Sequence, residues 1–352
     1  MAYISFQPQD YFTTHLYSGN DTTNNQQVGL TPDLVWVKCR NSAVPSHYIV
    51  DKVRGNEKYI SSNATTAEQT DGNTFELVSG GFNLAGGNGW TNLTGRTYAS
   101  WNWKANGTGS SNTDGSITST VSANTTAGFS IVKWTGTGSN PSTVGHGLGA
   151  VPKFIITKRI SGDTASWHTY HASIGNAYDI YLNGTNPQAS DTSWNSTTPT
   201  SSVFTVNGAN VNVSGAPYIA YVFAEKTGFS KFGSYTGAGS NLPFIYTGFK
   251  PAFVMIKRSS NTDNWYMKDN KRSGTAALQN FGQMNPNQTQ HPSANNNNAE
   301  NKASDFATDI LSNGFKFRGT DSGINQSGET YIYMAFAEAP LVGSNNVPCT
   351  AR

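Results

Sequence analysis

Pro152-Lys153-Phe154-Ile155-Ile156-Thr157-Lys158-Arg159 reads as one β-strand: a proline start, an apolar and β-branched body, and two cations at the end. The same pattern stands earlier as Pro32-Asp33-Leu34-Val35-Trp36-Val37-Lys38 and later as Pro251-Ala252-Phe253-Val254-Met255-Ile256-Lys257-Arg258. In all three the lysine follows the proline by six residues. A strand register kept that strictly is the signature of an internal repeat.

The repeat extends in both directions. Upstream lies an aromatic strand ending at a glycine turn: Leu16-Tyr17-Ser18-Gly19, Lys133-Trp134-Thr135-Gly136 and Ser234-Tyr235-Thr236-Gly237. Downstream each copy closes on a second strand, Thr97-Tyr98-Ala99-Ser100-Trp101-Asn102-Trp103, Pro217-Tyr218-Ile219-Ala220-Tyr221-Val222-Phe223 or Thr330-Tyr331-Ile332-Tyr333-Met334-Ala335-Phe336. Pro32 to Tyr98 and Pro152 to Tyr218 each span 66 residues, and Pro251 to Tyr331 spans 80. The Asn-rich run from Asn285 to Asn298 accounts for the longer third copy. Midway, Asp51, His171 and Asp269 occupy one corresponding position, each followed by a glycine (Gly55, Gly175, Gly274). In the closing strand Tyr218, Ala220 and Val222 fall on one face and Ile219, Tyr221 and Phe223 on the other. Large apolar groups on both faces predict a central strand covered on both sides.

These features predict an all-β chain of tandem β-sandwich, jelly-roll-like units with three internal repeats. The units fall at 1–107, 128–226 and 227–340, with a flexible linker at 108–127 and a C-terminal tail at 341–352. The linker reading rests on the Gly/Ser/Thr/Asn-rich composition of that segment. Almost no sequence separates the second and third units, so they are expected to dock. Helical spacing is confined to Ser304 through Leu311.

Composition narrows function. Only 12% of the 352 residues are charged and the net charge is +2, which gives no sign of a nucleic-acid surface. Cys39 and Cys349 stand alone and form no CxxC motif. No apolar run approaches a membrane span, so no membrane insertion is expected. The opening residues lack the charged and apolar regions of a signal peptide, so a cytoplasmic product is expected.

Several stretches carry a resemblance to a known group. Thr126-Ala127-Gly128-Phe129-Ser130-Ile131-Val132-Lys133-Trp134-Thr135-Gly136, Val144-Gly145-His146-Gly147-Leu148-Gly149, Phe229-Ser230-Lys231-Phe232-Gly233-Ser234-Tyr235-Thr236-Gly237 and Tyr331-Ile332-Tyr333-Met334-Ala335-Phe336-Ala337-Glu338 resemble a repeat domain of virion proteins from marine tailed phages. The resemblance runs over nearly the whole chain and implies a structural role in the particle, of the tail-fibre type. It supplies no catalytic residues.

Candidate sites are few. Trp167-His168-Thr169-Tyr170-His171 places two histidines three apart, which on a strand point to opposite faces and do not form a metal pair. Asp51 with Arg54 and Asp269 with Arg272 read as ion pairs framing a surface hairpin. Seen three times, the repeated strand is a fold-defining element, and its lysine reads as a strand-end or interface group. Trp90, Trp194 and Trp265 lie among loop-forming residues and are the candidate glycan-stacking platforms. No nucleophile elbow, phosphate loop, paired carboxylates or metal motif is present, so no catalytic residue, metal or cofactor is expected.

The resulting expectation is a non-enzymatic tailed-phage structural protein located in the virion after assembly in the host cytoplasm, a tail-fibre or tail-associated component in contact with host surface glycans. Its partners would be other virion proteins and further copies of itself, a trimer among the forms considered. A capsid-decorating or head-fibre protein and a glycan depolymerase are the alternatives.

Overall fold

The two-faced alternation of the closing strand becomes two hydrophobic cores. Tyr218, Ala220 and Val222 line the interior of one sandwich, while Ile219, Tyr221 and Phe223 point into a second core. The first unit divides the same way, with Tyr98 on the sandwich side and Ala99, Trp101 and Trp103 on the other. That second core is shared: it also takes Leu34 and Trp36, Phe154 and Ile156, Phe253 and Met255 from the three repeated strands. In the third unit the two cores run together. The computed structural model describes residues 6–72, 74–162, 164–272, 291–300 and 304–337. The Asn-rich run before residue 291, Gly274, Glu338 and the 341–352 tail with Cys349 lie outside the described residues.

The chain is all-β, and one strand order occurs three times. In the first unit the opening strand Phe12–Ser18 pairs with the closing strand Thr97–Trp103, which pairs with the repeated strand Leu34–Cys39, which pairs with Tyr48–Asp51. Phe129–Thr135, Pro217–Ala224, Pro152–Arg159 and Trp167–His171 follow that order in the second, and Ser230–Thr236, Thr330–Ala337, Pro251–Arg258 and Trp265–Asp269 in the third. Every pairing is antiparallel. In the second and third units the repeated strand slips register just after its proline, between Pro152 and Phe154 and between Pro251 and Phe253. A proline has no N–H for the ladder, so it belongs at a strand start or a bulge.

Each four-stranded sheet faces a smaller outer sheet. The first unit's outer sheet holds Asn24–Gln27, Gly81–Leu84 and Phe75–Val78. The second unit's holds Ser142–Gly145 and Val203–Val206, and the third unit's holds Phe244–Tyr246, Gly314–Phe317 and Thr308–Leu311. One corner recurs as well. Tyr98, Tyr218 and Tyr331 each accept at their hydroxyl the backbone N–H five residues upstream, from Leu93, Val213 and Gln326 at 2.9, 3.0 and 2.8 Å. Each ring stacks on the aromatic paired with it in the opening strand, Tyr17, Trp134 or Tyr235. The turn glycines fit beneath these corners: a Cβ on Gly19, Gly136 or Gly237 would lie 2.3, 2.3 or 2.1 Å from the carbonyl oxygen of Leu93, Val213 or Gln326.

The units join in a ring. Glu68 of the first donates its N–H to Ile160 O of the second (3.1 Å), Gln188 of the second to Ser259 O of the third (2.9 Å), and Glu300 of the third to Arg40 O of the first (2.8 Å). These three bonds link equivalent positions, so the contacts are head-to-tail and the rotation closes into a pseudo-threefold ring around the shared core.

Two expectations are corrected. Residues 108–127 are not a flexible linker: Ser110–Asn112 and Ser119–Asn124 add two strands to one edge of the second unit's sheet, which with Tyr178–Tyr181 and Ala189–Ser190 at the other edge reaches eight. Ile117, Val121 and Ala127 anchor the segment in the cores and Ser119 and Ser122 are buried beside them, while most of its other small polar residues are exposed; the composition records that exposure rather than a lack of structure. Residues 304–311 are not a helix but a short 3-10 turn, Ser304–Phe306, followed by the strand Thr308–Leu311. Thr308 and Ile310 are buried and alternate with less buried neighbours, so period two prevails over the helical spacing.

Candidate functional site

The chemistry-bearing positions of the sequence converge on the junctions between units, where three slots recur. The first slot lies at the end of the fourth strand. Asp51, whose side chain is fully buried, accepts at Oδ2 from the Tyr221 hydroxyl of the second unit (2.8 Å) and from Arg54 Nε (2.5 Å). Its Oδ1 accepts the backbone N–H groups of Val53 and Arg54. Arg54 also donates to Ile49 O. Burial opposes the Arg54 charge, but Asp51, Tyr221 and Glu68 outweigh it and hold the guanidinium pKa above its ordinary value. Asp269 repeats the arrangement at the junction of the third unit with the first. It accepts from Trp101 Nε1 of the first unit (3.1 Å) and Arg272 Nε (2.8 Å), while Arg272 lies over the Trp101 ring and pairs with Glu300. These are buried inter-unit clamps, not the surface hairpin pairs expected from spacing alone.

At the junction of the second and third units the slot holds His171. Its Nε2 donates to Tyr333 O (3.2 Å), and its Nδ1 accepts the Ser173 N–H (3.1 Å). Ile174 stands where the other units have arginine, and Met334 occupies the closing-strand register of Tyr221 and Trp101. Methionine offers no donor, so a carboxylate here would lack both its aromatic donor and its arginine; a neutral imidazole that bonds main chain replaces it. Burial lowers the His171 pKa to about 4.

The second slot is the repeated lysine, buried each time and capped by carbonyl oxygens. Lys158 Nζ donates to Thr65 O of the first unit (2.8 Å) and to Ala165 O. Lys257 Nζ donates to Thr185 O of the second (3.0 Å), Arg258 O and Asp263 O. Lys38 Nζ donates to Cys39 O and to Asn297 O of the third (3.2 Å). Burial pushes the Lys38, Lys158 and Lys257 pKa values down to about 8, about 8 and about 7.

The third slot is the start of the fourth strand. Trp167 Nε1 donates to Ser61 O (3.0 Å), Trp265 Nε1 to Tyr181 O (2.9 Å) and His47 Nε2 to Ser293 O (2.9 Å), again around the ring. His47 accepts Trp36 Nε1–H at Nδ1 (2.8 Å), which fixes it neutral. Burial, and then Lys38, lower its pKa to about 3.

The three candidate glycan platforms are therefore rearranged. Trp265 is 1% exposed and welds the second junction; Trp194 is 2% exposed and packs edge-on to Tyr170 inside the second sandwich. Neither ring face is open to a sugar. Trp90 is half-buried, edge-on to Tyr59 at 5.0 Å and near Tyr48. Sequence reading overlooked Tyr221, Trp101 and Glu300 as junction groups. The available signal was that the closing-strand residue varies together with the carboxylate or histidine of a neighbouring copy, which becomes visible only when the copies are arranged in a ring.

Among the described residues no group of three or more His, Cys, Asp or Glu side chains is arranged to hold a metal ion, and no helix is long and apolar enough to cross a membrane. A half-open groove lined by Thr14, His15, Gln27, Val28 and Lys271 runs along the first unit, where His15 bonds Gln26.

The fold and its junctions define a ring-shaped all-β protein. The profile of one family, described as "Domain of unknown function (DUF7483)", matches residues 7–340, so the chain belongs to that family and the match spans all three units. No curated protein and no solved structure matches the chain.

Proposed function

We propose that this chain is a non-enzymatic structural protein of a tailed-phage virion, a tail-fibre or tail-associated component that touches host surface glycans. The observation that carries the reading is that the polar side chains at the three recurring slots are spent on welding the ring. Asp51, Asp269, His47, His171 and the three repeated lysines each bond a neighbouring unit. Three sandwiches that share a core and interlock by buried bonds make a rigid, protease-resistant block, which is what a particle component exposed outside the cell requires. The inner faces are consumed by the ring, so contacts with other virion proteins and with further copies of the chain fall on the outer surface. The motif resemblance supplies the particle assignment.

Immunogold labelling of intact particles tests the reading, with label expected on the tail. Label on the head would make the chain a decorating or head-fibre protein, and particles free of label would remove the virion role. Incubating the purified chain with host polysaccharide should leave its length distribution unchanged. Shortened products would favour the depolymerase.

A further inference from the structure

Among the described residues, two exposed aromatics share one strand in the third unit. The strand Phe244–Tyr246 is the edge of its outer sheet; Ile245 points into the core, whereas Phe244 and Tyr246 point outward, 43% and 64% exposed. Two residues apart on one strand, their rings stand on the order of 7 Å apart. The platform is shaped. Gly314 pairs with Tyr246 across the sheet, and a Cβ there would lie 2.9 Å from the Cε2 and Cζ atoms of Phe244, so the glycine leaves room for the edge of that ring.

The equivalent positions are Asn25 and Gln27 in the first unit, which are also exposed, and Thr143 and Gly145 in the second, which Asn112, Asp114 and Ser116 cover; each pair precedes the same turn. The fold therefore has no need of aromatics there. The row continues in charge: Lys316 pairs directly with Phe244, and Asp309 with Lys316. Asp309 is engaged by Arg318 at 2.6 Å, while Lys316 makes no ion pair among the described residues. The surface therefore offers two exposed aromatic rings beside a row of two cations and one acid.

We propose that Phe244, Tyr246 and Lys316 form a binding site for an acidic polysaccharide. The rings take the C–H faces of successive sugar rings, and the ammonium takes a carboxylate or sulfate. The site gives the glycan contact of the proposed function a location and a ligand class, and rests on that part of it.

Affinity electrophoresis through gels containing polygalacturonate, with dextran as the neutral control, tests the site. Polygalacturonate should retard the protein and dextran should not. The double substitution F244N/Y246Q, which installs the first unit's residues, should weaken retardation about tenfold or more. K316Q should weaken it by a smaller factor and reduce its salt sensitivity. Thermal melting of both variants checks that they fold, and K316Q, a surface change, keeps the test open if the double variant does not. Migration of the unaltered protein as in a blank gel, or equal retardation of the double variant, overturns the site. So does a wild-type dimer in sedimentation that F244N/Y246Q converts to monomer, since the rings would then cover each other. A negative result here leaves the particle role standing, and an absence of gold label would leave this site standing.

Discussion

The junction between the first and second units and the junction between the second and third sit at the same register and are held by opposite chemistry. In one, a fully buried carboxylate binds a buried arginine and reaches the Tyr221 hydroxyl across the ring. In the other, a neutral imidazole hydrogen-bonds only to main chain. The difference teaches that the slot is conserved in shape while its polarity is set by the residue facing it from the next unit. Tyrosine or tryptophan opposite calls for an acceptor, and methionine opposite excludes a charge.

The sharpest way to break the comparison is to exchange the two chemistries. H171D buries a carboxylate with Ile174 and Met334 for neighbours and should cost about 3–5 kcal/mol, the penalty of an uncompensated buried charge, measured by urea unfolding. Adding I174R and M334Y should restore a large part of that loss. If H171D alone unfolds at the wild-type midpoint, polarity matching is not what sets the slot.

The next effect separates the junctions by pH. His47 and His171 have folded pKa values lowered to about 3 and about 4, against about 6.5 in the unfolded chain. A depressed folded value means the unfolded state binds the proton first. Their stability is present above pH 6.5 and is lost as pH falls through 4 for His171 and 3 for His47. For His171 the full swing is roughly 3 kcal/mol. Thermal melts from pH 7 to 4 should therefore fall less steeply in H171N than in the wild type.

A smaller loss is expected from Y221F. Asp51 keeps Arg54 and two backbone donors, so removing one hydroxyl should cost about 1–2 kcal/mol, and M334L at the other junction about 1 kcal/mol or less. Comparable losses in a paired denaturation series would erase the distinction between the junctions. Smallest of all, F244N/Y246Q on the outer sheet should change stability by about 0.5 kcal/mol or less in the same assay, because those rings are exposed.

Much of the fold was legible before any coordinates. The spacing of proline to lysine and of proline to tyrosine marks strands that pair in a common order, and the two-faced closing strand announces two cores. The candidate site was not legible in the same way. Trp194 and Trp265 sit among turn-forming residues, so local composition suggested open loops, yet their rings are buried by strands far away in sequence. Residues 108–127 misled for the converse reason, since an edge strand with one buried residue in several carries a linker's composition. The helical spacing at 304–311 lost to the alternation imposed by pairing with Gly314–Phe317.

By itself the sequence determined the class, the strands and their repetition, because these follow from side-chain alternation and turn chemistry within short stretches. Only the tertiary structure decided what the charged and aromatic residues do. Ring closure brings Asp51 to Tyr221, Asp269 to Trp101 and Lys38 to Asn297, pairs separated by more than a hundred residues. Burial there turns what reads as surface polarity into the bonds that close the ring.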